Sequence, residues 1–245
     1  MISGWENWLL AAVAAFCIGV AKSGFSGTSM IAVAIFTQMF GAKAQAGFGL
    51  PLLLIADLCV FPAYRKHGNW ADVWKLLPAT FVGLAAGWWL LGHLEETTAR
   101  RLIGGLILLM LALQGLRFAK PGLLEKIAGH RAFGTGAGVA AGTTTMLANA
   151  AGPIFQLYLL SRRIPKMELI GIGARFFPLV NFIKIPLNRS LGTINSQTVT
   201  TGLMLAPAIV AGVFIGKSLL HRVPQRVFEW MILAFAAVAA IRMFV

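Results

Sequence analysis

The chain has 245 residues, 58% hydrophobic and 12% charged, with a formal net charge of +13. A soluble domain carries roughly 25% charged residues, and the mean hydropathy of +0.79 excludes an ordinary water-soluble fold in favour of a membrane protein. The basic residues dot the breaks between apolar runs rather than clustering, so the charge does not call for a nucleic-acid partner.

From the N-terminus, "MISGWENWLL" has no basic stretch before its apolar run. It therefore reads as a retained first segment rather than a cleaved signal. Apolar segments follow at about 5–21, 28–40, 46–64, 73–91 and 100–118, then at about 133–142, 145–160, 168–187, 199–220 and 226–245. Their length argues for helices that span a bilayer, where about 20 residues are needed. It excludes a barrel of short alternating strands. The expected fold is an all-α polytopic membrane protein with about 8–10 transmembrane or half-membrane helices. Segments 28–40 and 133–142 are too short to span and read as half-helices or re-entrant hairpins. The polar stretch "RFAKPGLLEKIAGHR" is the one plausible linker. It divides the chain into halves 1–118 and 133–245 around a cytoplasmic connection at 119–132.

Orientation follows from lysine and arginine. The odd-numbered breaks hold fourteen of them, Lys22 and those around 65–75, 117–131, 162–166 and 217–226 included, and the even-numbered side holds five. This predicts that the odd breaks are cytoplasmic and that both termini lie outside, in a multi-pass inner-membrane protein.

The halves echo each other. "LLPATFVGLAAG" and "LAPAIVAGVFIG" place Pro78, Gly83 and Gly87 opposite Pro207, Gly212 and Gly216 at one offset. "GTSMI" echoes "TTTML", and Gly47, Gly49 and Asp57 fall opposite Gly171, Gly173 and Asn181. With an odd number of segments per half, such copies are inverted, an architecture of transporters whose helices break at a midplane site. Packing glycines alone would also yield some of these matches.

Polar groups at membrane depth are costly and usually face a cavity or one another. Four places qualify. "KSGFSGTS" holds Lys22, Ser23, Ser26 and Thr28 and reads either as an anion-attracting helix start or as a plain hairpin loop with one cytoplasmic lysine. "AGTTTMLANAAGP" holds Thr143, Thr144 and Asn149 and reads either as its binding counterpart or as hydroxyls bonded to their own helix. Asp57 is the only acid well inside a segment. It suits a proton carrier in a transport cycle, or an ion-pair partner for Arg175 or Lys184. Last, "GARFFPLVNFIKIPLNRS" carries Arg175, Asn181 and Lys184. Asn181 and Lys184, three apart, share a helix face, and the two cations suit an anionic substrate unless they only snorkel to the interface. Cys17 and Cys59 both lie in apolar runs and the four histidines form no ligand pair, so neither a metal nor another cofactor is expected. Enzyme motifs such as H-E-x-x-H, G-x-S-x-G or a Walker loop are absent.

The runs "GVAKSGFSGTSMIAVAIF", "GFGLPLLLIADLCVFPAYRKHGNW" and "LLPATFVGLAAGWWLL" resemble the N-terminal half of the TauE/SafE sulfite exporters. "GTTTMLANAAGPIFQLYLL", "IPKMELIGIGARFFPLVNFIKIPLN" and "GLMLAPAIVAGVFIG" resemble their C-terminal half. The resemblance implies a secondary transporter of sulfite, a short sulfonate or a related small anion, often an exporter. It places the family's small-polar breaks at Ser23, Ser26, Thr28 and Thr143 to Asn149, and its N-x-x-K-x-P pattern at Asn181, Lys184 and Pro186. A passive anion channel and a membrane assembly factor are the competing classes. Partners beyond the anion, the bilayer and protons are not indicated, and a homo-oligomer is left open.

Overall fold

The computed structural model describes residues 2–119, 131–162 and 164–222. Among them there is no strand, and ten α-helices follow in order. These are α1 (Trp5–Lys22), α2 (Ser29–Phe40), α3 (Ala42–Tyr64), α4 (Trp70–His93) and α5 (Glu96–Ala119), then α6 (Arg131–Ala148), α7 (Gly152–Ser161), α8 (Lys166–Ser190), α9 (Ser196–Met204) and α10 (Ala206–Arg222). The sequence segment 226–245 and most of the linker, residues 120–130, lie outside the described residues. By length and composition α1, α3, α4 and α8 can each cross a membrane, and the pair α9–α10, bent by 50°, can make a further broken span. On α4, Trp70 and Trp74 are exposed near one end and Trp89 near the other. At 1.5 Å per residue Trp70 and Trp89 stand about 28 Å apart, close to the hydrocarbon thickness of about 30 Å. That is where tryptophans favour the two interfaces.

Two helix breaks carry the fold's irregular backbone. The first follows Lys22, where Gly24 has φ 121° and a short 3₁₀ turn, Ser26–Thr28, leads into α2. Only glycine takes such a φ without strain. The second is a correction to the sequence reading, which places a break between 142 and 145. Helix α6 instead runs unbroken to Ala148. The hydroxyls of Thr143 and Thr144 donate to the carbonyls of Val139 and Ala140, one turn back, at 3.0 and 2.8 Å, so the helix absorbs them. The chain turns at Asn149, φ 53°, a residue type whose short amide tolerates the left-handed region. The short element of this half is therefore α7 rather than 133–142. The segment read as 199–220 is likewise two helices. It bends beside Pro207, which lacks the N–H that the preceding turn needs.

Without water to expel, helices in lipid associate by close packing of small residues, and here glycines let backbones touch. A Cβ on Gly83 would stand 2.1 Å from the carbonyl oxygen of Val139, and one on Gly142 2.2 Å from that of Thr80. These four residues join α4 to α6. The same contact recurs between α1 and α10, where a Cβ on Gly19 would meet the Ile209 oxygen at 2.2 Å and one on Gly212 the Phe16 oxygen at 2.2 Å. Counting the bent pair α9–α10 as one span, the fourth member of each half thus packs on the first member of the other. Two inverted copies would exchange partners in this way. Between these pairs α3 and α8 run antiparallel. Gly47 lies against the Thr193 carbonyl at one end, and Gly171 against the His67 carbonyl at the other.

The glycine contacts predict a position-specific loss of stability. Gly142→Ala and Gly212→Ala, each forcing a methyl against backbone, should cost about 1–3 kcal/mol, as overpacking does. The loss would be read as a lowered midpoint of thermal unfolding in detergent. Gly105→Ala on α5, with nothing within 4 Å of its added carbon, should leave the midpoint unchanged or slightly raised.

Candidate anion site at the helix breaks

Because α3 and α8 are anchored to each other at both ends, the residues midway along them are forced together. Asp57 is ten residues from Gly47, about 15 Å of helix, and ten from His67, which lies in the turn just past the end of α3. There the Asn181 amide donates to Asp57 Oδ2 at 2.7 Å. The residues that the sequence places opposite one another in the two halves are therefore in direct contact. Lys22, the last residue of α1, donates to the other carboxylate oxygen, Asp57 Oδ1, at 2.5 Å. Its ammonium also lies 4.4 Å from the centre of the Phe177 ring, a favourable place for a cation. The sequence reading offers Arg175 or Lys184 as the partner of Asp57 and takes Lys22 either as part of an anion-binding break or as a cytoplasmic loop cation. The structure pairs Asp57 with Lys22, because the break at Gly24 ends α1 level with the middle of α3. Removing Lys22 from the charge count leaves thirteen against five.

A second polar layer lies beside the first. Lys184 is fully buried, donating to Asn149 Oδ1 and, at 3.4 Å, to Thr145 Oγ1. Asn149 in turn donates to the carbonyl oxygens of Ala46 at 3.1 Å and Gln45 at 3.4 Å. Gln45 donates to Leu147 O at 2.8 Å. Asn188 donates to Lys184 O at 3.0 Å and accepts from Thr193 Oγ1 at 2.9 Å. These bonds tie α3, the second break and α8 together. They also dispose of snorkelling, since Lys184 has no exposed atom with which to reach an interface.

A cavity of about 70 Å³ lies against these layers, and at roughly 10–15 Å³ per water position it has room for a few waters or one small oxyanion. Lys22, Ser26, Asp57, Asn149, Gln156 and Asn181 supply polar lining, and Ile18, Leu53, Val60, Phe155, Leu169 and Phe177 much of the rest. Both breaks contribute, through Gly24 and Ser26 on one and Asn149 to Gly152 on the other. From Asp57 and Asn181 the lining runs toward Val60 on α3 and Leu169 on α8, which is the end that bears the loop at 65–69. Gln45, Lys184 and Asn188 lie on the opposite side and do not line it. One donor in the wall is unsatisfied: Ser26 Oγ is buried with no hydrogen-bond partner among the described residues. With all three ionised, Lys22, Lys184 and Asp57 leave one net positive charge.

The other sequence candidates lie elsewhere. Ser23 donates to Val213 O at 2.9 Å across the α1–α10 contact, and Thr28 to Cys17 O at 2.8 Å. Thr143 donates to Gly83 O at 3.1 Å across the α4–α6 contact, and Thr144 stays within its helix. Arg175 turns away from the cavity. Its guanidinium donates to the carbonyls of Arg65 at 2.5 Å, Gly171 at 3.0 Å and His67. The end of α3 leaves carbonyls without intrahelical partners, and a planar fork of donors satisfies several of them together. Gln45, Gln156 and Asn188 are the participants that the sequence reading passes over, and Thr145 falls within its break at Thr143 to Asn149 without being singled out. Two carried a signal: Thr145 is four residues before Asn149 and Asn188 four after Lys184, spacings that share a helix face.

The geometry defines a polytopic helical membrane protein with a charged centre beside a small cavity where two helix breaks meet. The family described as sulfite exporter TauE/SafE matches residues 11–243, and the chain belongs to it; it is a membrane transport protein. No curated protein and no solved structure matches the chain.

The buried pair predicts strong coupling in a double-mutant cycle. Lys22→Met leaves the Asp57 carboxylate facing Asn181 alone, and removing one partner of a buried pair typically costs about 3–5 kcal/mol. Asp57→Asn alone should cost less, since an amide still accepts from Asn181. The double variant Lys22→Met/Asp57→Asn should be more stable than Lys22→Met by at least about 1 kcal/mol. Thermal unfolding of the purified proteins measures all four corners.

Proposed function

We propose that the protein exports a small sulfur-containing anion, such as sulfite or a short organosulfonate, across the bacterial inner membrane. In this reading the site is the cavity between the two helix breaks, at the bilayer midplane, and Asp57 couples transport to protons. What carries the reading is the charge around the cavity: the Lys22 ammonium and the Asp57 carboxylate in its wall, the Lys184 ammonium behind Asn149, and an unpartnered serine hydroxyl. A monovalent oxyanion would pair with the Lys22 ammonium and accept from Ser26. The hydration it loses would be replaced by fixed donors, as buried anions require. The family's description is the support for sulfite.

One observation favours alternating access over a channel. The polar layer of Gln45, Asn149, Lys184 and Asn188 is bonded shut on the side away from the cavity, whereas a channel needs a continuous path. Proteoliposomes tested for uptake of labelled sulfite, ethanesulfonate, sulfate and acetate should show saturable flux of one or both sulfur monoanions and the least flux of sulfate. Absence of any flux would end the transport reading for these substrates, and flux without saturation or counter-exchange would favour a channel.

Lys184 acts on the anion through its charge, because Asn149 stands between them. At an effective dielectric of about 20, a unit charge two contact lengths away contributes about 2 kcal/mol. Lys184→Gln should therefore weaken binding roughly ten- to thirtyfold, as measured by calorimetric titration of the purified variant with sulfite. An unchanged affinity would remove Lys184 from the site.

The orientation in this reading puts the loops at 65–69 and 162–165 in the cytoplasm. With Cys17 and Cys59 replaced, Lys66→Cys and Arg162→Cys should resist an impermeant maleimide in whole cells, while Gln197→Cys should label. The opposite pattern would invert the topology.

A further inference from the structure

The Lys22 ammonium has three donor positions. One is used by Asp57 Oδ1 at 2.5 Å, and one side faces the Phe177 ring at 4.4 Å. No further acceptor for it exists among the described residues. The same ammonium lines the cavity together with Asp57 and the unpartnered Ser26. An anion drawn to the cavity by Lys22 and Ser26 therefore meets a carboxylate already seated on that lysine. Two anionic groups on one ammonium, inside a cavity of about 70 Å³, repel each other. Adjacent acids resolve this by letting one of them hold a proton.

Nothing else near Asp57 can resolve it. From α1 it faces Lys22. From α8 it faces Asn181, whose amide hydrogen-bonds a protonated or an ionised carboxyl, and further off Lys184, which is held by Asn149 and Thr145. No second acid or histidine among the described residues lines the cavity.

We infer that Lys22 is shared between Asp57 and the substrate: the bound anion takes the ammonium, Asp57 takes a proton, and each monovalent anion crosses the membrane together with one proton, leaving the cell when its own concentration gradient outweighs the inward proton gradient. This rests on the anion-transport reading and specifies its coupling. In the step, the Lys22–Asp57 ion pair plus the anion and one proton from water becomes the Lys22–anion pair plus neutral Asp57. Charge balances on both sides, so the loaded and the empty centre carry the same charge. Both can then be exposed to either side at no electrical cost, which is the condition for an electroneutral carrier.

The test uses the purified full-length protein and ethanesulfonate, a strong-acid anion that cannot itself carry the proton. Titration calorimetry in buffers of different ionisation enthalpy should give about one proton taken up per anion bound, and none for Asp57→Asn. In proteoliposomes, ethanesulfonate influx should bring in an equal flux of protons, followed by an internal pH dye. It should be accelerated at least tenfold by an acidic exterior and be indifferent to an imposed potassium diffusion potential. Asp57→Asn should retain exchange of labelled for unlabelled anion while losing nine-tenths or more of the proton flux. Lys22→Gln should weaken binding at least tenfold. If that variant does not fold, Lys22→Gln/Asp57→Asn serves in its place, because it buries no lone charge. Binding without proton uptake, or influx driven by potential with no proton flux, would overturn the shared-lysine step while leaving anion transport standing. Absence of binding and flux for sulfite and ethanesulfonate alike would overturn the transport reading and this inference together.

Discussion

A carboxylate in the middle of a membrane-spanning helix has to be held by a cation and a hydrogen-bond donor, and the described structure is organised around that requirement at Asp57. An isolated ion at such depth is prohibitive in a low dielectric. Two elements answer it: α1 stops so that Lys22 reaches Oδ1, and α8 crosses so that Asn181 reaches Oδ2. The break at Gly24 is as much a part of this arrangement as the charges. Were α1 to continue past Lys22, the chain could not turn into the short 3₁₀ segment whose serine enters the cavity. The polar centre therefore explains why the backbone is irregular where an apolar bundle would have none.

That centre is held in register by contacts far from it. Gly47 against the Thr193 carbonyl and Gly171 against the His67 carbonyl fix α3 and α8 at both ends, leaving no freedom for their midpoints to slide. The loop after α3 is secured to α8 by Arg175 and by Glu168, which accepts from the Gly68 N–H at 2.5 Å. The conformation of Gly68, φ 75°, lets the backbone approach α8 closely there. Arg175 thus serves the site at one remove. It supports the end of the helix that carries Asp57, and its charge is spent on carbonyls instead of substrate.

The cavity and the bonded layer differ in how firmly they are built. On the cavity side, small residues, phenylalanines and one unsatisfied hydroxyl leave open space. On the other side every amide of Gln45, Asn149 and Asn188 is engaged with backbone or side-chain partners. A structure that is loose on one face of a charged centre and locked on the other is suited to opening on one side at a time, because the locked bonds must exchange before the second face can open.

By itself the sequence determined the membrane class, most of the helices and the chemical character of the centre. Hydropathy and helix length act locally and leave a direct trace in the order of residues. It also pointed to Gly83 with Gly212 and Asp57 with Asn181 as corresponding positions, since equal offsets are readable without coordinates. It did not determine which cation meets which anion. Lys22, Arg175 and Lys184 are all cations near the ends or middle of apolar runs, and only the crossing of α1, α3 and α8 decides that Lys22 takes Asp57, Lys184 takes Asn149, and Arg175 takes the end of α3. The location of the second break was equally hidden. Three threonines signal polarity, but whether a hydroxyl faces a cavity or bonds back to its own helix depends on which side of α6 is covered by α4. Pairings among groups distant in sequence are set by how the helices stack, and close packing at glycine is a property of two surfaces that no single stretch of chain contains.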